Sequence, residues 1–172
     1  MLTLSRWLSS ERFHRQSLPA WGGQANAAQH ANPCGQMLSD LRAPLGVFGV
    51  LGNHDYDPGM MARYLDRQGI SVLRNCHLYI ERAGARLWIA GVDDVLRGEA
   101  NLDEALRGIP AEDCTVSLAH EPDYADVAAA YRVDLQLSGH SHGGQVNLPL
   151  LGTPYLPELG RAYPRGSRQS VP

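Results

Sequence analysis

Lysine is missing altogether from this 172-residue chain; its 15 basic residues are all arginine. That skew reads as a GC-rich coding sequence rather than as chemistry. Set against 18 acids, the arginines leave a net charge of −3, and no basic block is present to neutralise phosphates. A nucleic-acid binder is therefore not expected. Cysteine is scarce too. Cys34, Cys76 and Cys114 lie far apart with no Cys-x-x-Cys pair, so they read as buried or incidental thiols in a reducing compartment. No run approaches the roughly 20 apolar residues that span a bilayer. The opening MLTLSRWLSSERFHR lacks the uninterrupted apolar core of a signal peptide. The expected location is the cytoplasm.

Residues 1–44 contain no Val, Ile or Tyr, the residues that favour strands. Short helices over Leu4, Trp7 and Leu8 and over 36–42 are the only regular structure they suggest, and much of the segment is expected to be poorly ordered. What is present elsewhere is a globular composition, 44% hydrophobic and 19% charged, sufficient for one domain with a real core. The expected organisation is an atypical segment 1–44, a domain over 45–166 and a tail over 167–172.

From Leu45 the pattern sharpens. LGVFGVL (45–51) reads as a buried strand ending at Gly52, where glycine lets the backbone turn. Asp57 and Pro58 start a helix that Gly69 ends. HLYIERA (77–83) and RLWIAGV (86–92) flank Gly84 as a hairpin. Asn101 and Glu104 have capping-box spacing before an amphipathic helix that includes Ile109. CTVSLA (114–119) is a strand that runs into His120, Pro122 opens another helix, and VDLQLS (133–138) is a last strand that delivers His140 and His142. The glycines and prolines beyond mean loop. This order indicates an α/β layered fold.

Three of these strands end in a polar cluster: NHD, HEP and GHSH. Sheets of this class place their sites beyond the carboxyl ends of the strands. Neutral imidazole and amide oxygen suit manganese, zinc or iron, so Asn53, His120, His140 and His142 form a plausible ligand set. With two metals about 3.5–4 Å apart, a bridging hydroxide attacks phosphorus in line. His54 would be the general acid on the leaving alkoxide, and Asp55 could hold its other ring nitrogen. His14, His30 and His77 stand outside these clusters and read as structural or solvated. Asp93 and Asp94 end another strand near the presumed site, where a functional role and ordinary turn polarity remain equal alternatives.

GNHD, the strand-end His of LAHEP, and GHSHGGQ resemble the later motifs of the calcineurin-like metallophosphoesterases. APLGVFGVLGNHD, IAGVDD and GTPYLPELGRAYPRG resemble a bacterial, often membrane-tethered, phosphodiesterase branch that includes UDP-diacylglucosamine hydrolases. The resemblance covers about Leu41 to Gly166. It implies an α/β/β/α sandwich, a dinuclear divalent-metal centre, and a phosphodiester or pyrophosphate substrate, small or lipid-linked. By motif it implies Asn53, His120 and His140 on one metal, His142 on the other, and His54 as catalytic acid; it also allows a peripheral association with membranes.

The family pattern begins with an Asp-x-His and a Gly-Asp, the latter bridging both ions, and neither occurs in these 172 residues. LSDLR (38–42) is no substitute: Asp40 falls within the helix before the GNHD strand, and Arg42 would repel cations. The expectation is a sandwich incomplete at both ends, from a fragment or frameshifted gene, that binds one metal or none with impaired activity. The alternatives are an inactive remnant and a non-enzymatic scaffold that uses the proline-rich tail.

Overall fold

The structure is a computed structural model that describes residues 13–14, 38, 40–55, 58–144, 146, 148, 153–167 and 169. The expected helix over Leu4, Trp7 and Leu8 and the Asp57 cap lie outside the described residues, as do Cys34 and His30.

The elements run β1 (Phe13–His14), β2 (Val47–Gly49), α1 (Pro58–Arg67), β3 (Ile70–Val72), β4 (Cys76–Arg82), β5 (Ala85–Gly91), α2 (Leu102–Ala105), β6 (Cys114–Leu118), α3 (Ala125–Ala128) and β7 (Leu135–Leu137). Single 3₁₀ turns cover Pro122–Tyr124 and His142–Gly144. Five strands form one sheet in the order β1-β4-β5-β6-β7, and β2 pairs with β3 in a second. β4 and β5 are antiparallel, whereas β5, β6 and β7 run parallel, with Gly91 opposite Leu118 and Leu118 opposite Leu137. That register brings the carboxyl ends of three strands to one edge.

Alternation along the strands splits the core in two. Leu78, Ile80, Ile89, Val116 and Leu118 pack with Phe48 and Leu73 of the small sheet. On the opposite face Ala90, Val92 and Ala119 pack with Leu102, Ala105, Tyr124 and Ala128 of the short helices. Two sheets face each other with helices outside, a mixed α/β arrangement. Gly91 sets how closely the sheets approach: a Cβ there would stand 2.3 Å from Leu73 Cβ. The hairpin turn uses Ala83 and Gly84, both left-handed at φ 50° and 80°, as a two-residue primed turn requires.

Several elements are shorter than their sequence pattern suggests. The strands expected over 45–51 and 133–138 pair only over 47–49 and 135–137. After Asn101 the α-helix lasts four residues, because Arg107 and Ile109 then donate to carbonyls three residues back and Gly108 turns left-handed at φ 87°. The Asn101 side chain does cap Glu104 N–H at 3.0 Å, but the reciprocal half of the box is replaced: Asn101 N–H donates to Asn75 Oδ1. After Pro122 the chain starts as 3₁₀, with four α-helical residues following. β3, three residues between Gly69 and Arg74, is too short to show a period, and β1 pairs with β4 although its segment lacks Val, Ile and Tyr.

Candidate metal centre

The edge where β5, β6 and β7 end carries the polar clusters. The β6–β7 ladder continues past the strands: Ala119 N–H donates to Leu137 O and Gly139 N–H to His120 O. His120 and His140 therefore leave adjacent strands together. Their rings lie 4.9 Å apart at 69°, and His140 Nδ1 is 3.2 Å from His120 Nε2. His140 Nε2 is taken by the Glu158 carbonyl at 2.7 Å. A carbonyl only accepts, so the proton belongs on Nε2, and Nδ1 keeps its lone pair. The 3.2 Å gap matches the spacing of two nitrogens on one tetrahedral ion, roughly 3.3 Å for metal–nitrogen bonds near 2.05 Å.

GNHD meets this pair from the small sheet. Its turn is closed twice: Asp55 N–H donates to Gly52 O at 2.9 Å and Gly52 N–H to Asp55 Oδ2 at 2.7 Å. The Asp55 carboxylate thus helps to build the loop that carries His54. Gly52 is needed for space rather than for a turn, since a Cβ would stand 2.5–2.7 Å from His120 ring atoms. Beside it, Asn53 Oδ1 is buried with no hydrogen-bond partner. A buried amide oxygen without a donor is uncommon in a folded chain and calls for a partner that this chain does not supply. His54 is exposed at the rim.

Electrostatics suit a cation. Burial first, then His140, pushes His120 below its ordinary value, while Asp94 and Asp55 pull it partly back. The ring is consequently neutral and able to ligate near neutral pH. The backbone is strained here too: His140 and His142 both have positive φ, 61° and 52°. Such conformations cost about 1–2 kcal/mol each for side-chain-bearing residues and persist where surroundings over-determine them.

Among the described residues, His120, Glu121 and His140 bring ligand atoms within 4.8 Å of one another. His142 stands exposed and outside this group. Glu121 was not singled out by its sequence, where HEP resembles an ordinary helix start. It is fully buried, accepts Val95 N–H at 3.2 Å, and leaves Oε1 unpartnered. Burial, followed by the neighbouring Asp94 carboxyl, pushes its carboxyl up to about 8.

The two aspartates after β5 separate in role. Asp93 pairs with Arg74 Nε at 3.0 Å and is structural. Asp94 binds Arg97 N–H through Oδ1, while its Oδ2 is buried without a partner. His77 packs edge-on against Trp88 and bonds Ala105 O, away from the centre.

A profile of the calcineurin-like phosphoesterases matches residues 25–144. The chain belongs to that family. The match begins 16 residues before Leu41, inside the segment whose composition sets it apart. The metallophosphoesterase YkuE of Bacillus subtilis is 34% identical over 146 residues, 83% of this chain and 51% of that protein. The phosphodiesterase YaeI of Escherichia coli is 31% identical over 141 residues, 75% of this chain and 50% of that protein. A transmembrane protein with a metallophosphoesterase domain from Bos taurus is 36% identical over 140 residues, 69% of this chain and 31% of that protein. The chain thus spans about half the length, or less, of these relatives. No solved structure matches it. The family is metal-dependent, and no helix among the described residues is long and apolar enough to cross a membrane.

Proposed function

We propose that this chain carries half of a metal-dependent phosphoesterase centre: Asn53, His120 and His140 hold one divalent transition ion, and His54 is the catalytic acid. The observation that carries the reading is the 3.2 Å approach of His140 Nδ1 to His120 Nε2, with the GNHD turn held against the His120 ring at Gly52 and the Asn53 Oδ1 of that turn buried without a partner. When bound, the ion supplies positive charge to a phosphoryl oxygen. The residues do the rest. His54, exposed on a turn closed by Asp55, can reach a leaving oxygen and protonate it. Gly52 keeps the His120 ring against that turn. The substrate class is a phosphodiester or pyrophosphate, of a small molecule or a lipid headgroup. Manganese, zinc and iron all suit these ligands.

A second reading is favoured by the absence of Asp-x-His and Gly-Asp from the 172 residues. Without a bridging carboxylate these residues alone do not hold a cation pair, and His142 is left as a lone ligand for a second ion. On that reading the centre binds one ion and turns over little or nothing. Hydrolysis of bis(p-nitrophenyl) phosphate with Mn²⁺ separates the two. Manganese-dependent turnover that drops about 10²–10⁴-fold in His54→Ala supports the phosphoesterase. Turnover no greater in the wild type than in His54→Ala supports the inactive centre.

A further inference from the structure

Residues 157–164, PELGRAYP, have no regular structure, yet they lie against both ligand-bearing turns. Their position is fixed from below by one side chain. The Asp123 carboxylate accepts three successive backbone N–H groups, from Arg161 at 3.0 Å, Ala162 at 3.1 Å and Tyr163 at 3.1 Å. Asp123 N–H donates in turn to Leu159 O at 3.0 Å, where Leu159 is left-handed at φ 58°. Tyr163 adds a hydroxyl bond to Asp126 at 2.6 Å. Bonds from amides to a carboxylate are charge-assisted and roughly twice as strong as neutral ones.

From its inner side the same segment grips the GHSH turn. Glu158 O holds His140 Nε2 at 2.7 Å, and Pro164 O accepts the Ser141 hydroxyl at 2.7 Å. Gly160 packs so closely that a Cβ would stand 3.2 Å from Pro157 Cγ and 3.4 Å from both His140 Cδ2 and Ser141 Cβ. Asp123 follows His120 by three residues, so the segment bridges the turn after β6 to the turn after β7.

We propose that residues 157–164 are a strap, clipped down by Asp123, whose Glu158 carbonyl locks His140 into the tautomer that presents Nδ1 to the ion. Asp123 is a positioning residue: it touches neither ion nor substrate. The proposal rests on reading His140 as a metal ligand, and its test is built to separate the two ideas. In the metal-free protein, long-range ¹H–¹⁵N spectra, with His140 assigned by comparison with His140→Ala, should show the Nε2–H tautomer alone. Asp123→Ala should give a mixture at His140, and Mn²⁺ affinity by calorimetry should fall about 10–100-fold, the usual effect of losing a partner behind a ligand. Asp123→Asn, which keeps one acceptor oxygen, should fall between. If Asp123→Ala does not fold, Gly160→Ala, which pushes the strap off the ring, should give the same two changes. A folded Asp123→Ala with wild-type tautomer and affinity overturns the strap. Unchanged Mn²⁺ affinity in His140→Ala overturns the ligand reading instead, while the tautomer spectra still decide the strap.

Discussion

His140 turns Nδ1 toward His120 Nε2, 3.2 Å away, because its other nitrogen is fastened to the Glu158 carbonyl. The two side chains come from neighbouring parallel strands, so the sheet sets their separation and the loop sets their orientation.

Removing either ring should abolish metal-linked stabilisation. A ligand that binds only the folded state stabilises it by about 2.7 kcal/mol at a hundredfold excess over Kd. Thermal melts with and without Mn²⁺ should therefore show a clear upward shift in the wild type and almost none in His120→Ala or His140→Ala.

Gly52→Ala tests the contact between GNHD and LAHEP. The added methyl meets the His120 ring at 2.5–2.7 Å, so the ring must move. Urea unfolding should show a loss of about 1–3 kcal/mol, and the Mn²⁺ shift should shrink although no ligand was changed.

The buried Glu121 carboxyl gives stability a pH dependence of definite sign. Its value in the folded chain, about 8, exceeds its ordinary 4.5, so folding favours the protonated form. That contribution is complete below 4.5 and is lost as pH rises toward 8. His120, shifted down, acts oppositely: its contribution is lost as pH falls below 6.5. Comparing metal-free melts of the wild type and Glu121→Gln isolates the first effect. The wild type should lose stability relative to the variant as pH rises from 4.5 to 8.

At the hairpin, Ala83 occupies a left-handed position without the side chain to suit it. Ala83→Asn should stabilise the fold by about 0.5–1 kcal/mol, read from denaturant midpoints, because Asn tolerates that conformation far better.

These sites differ in how much of them the sequence reveals. HLYIERA and RLWIAGV announce a hairpin because alternation persists over seven residues and Gly84 marks the turn. The convergence of His120 and His140 is legible because each follows an apolar run, and strand ends are where sites form. β3 is hidden because three residues cannot display a period. Glu121 is hidden because the groups it meets, Val95 N–H and Asp94, come from another strand's end. The work of Asp123 is hidden because its partners lie 38 to 40 residues away in a segment that reads only as loop. The bond from Gly52 N–H to Asp55 illustrates a different gap: it closes a turn within four residues that adjacency to His54 alone does not announce.

The most direct measurement is metal content of the purified 172-residue chain by mass spectrometry after equilibration with Mn²⁺ and removal of the excess. One ion per chain in the wild type, and none in Asn53→Ala or His140→Ala, is the predicted result. Two ions per chain, or one ion retained in both variants, would contradict a centre built on Asn53, His120 and His140.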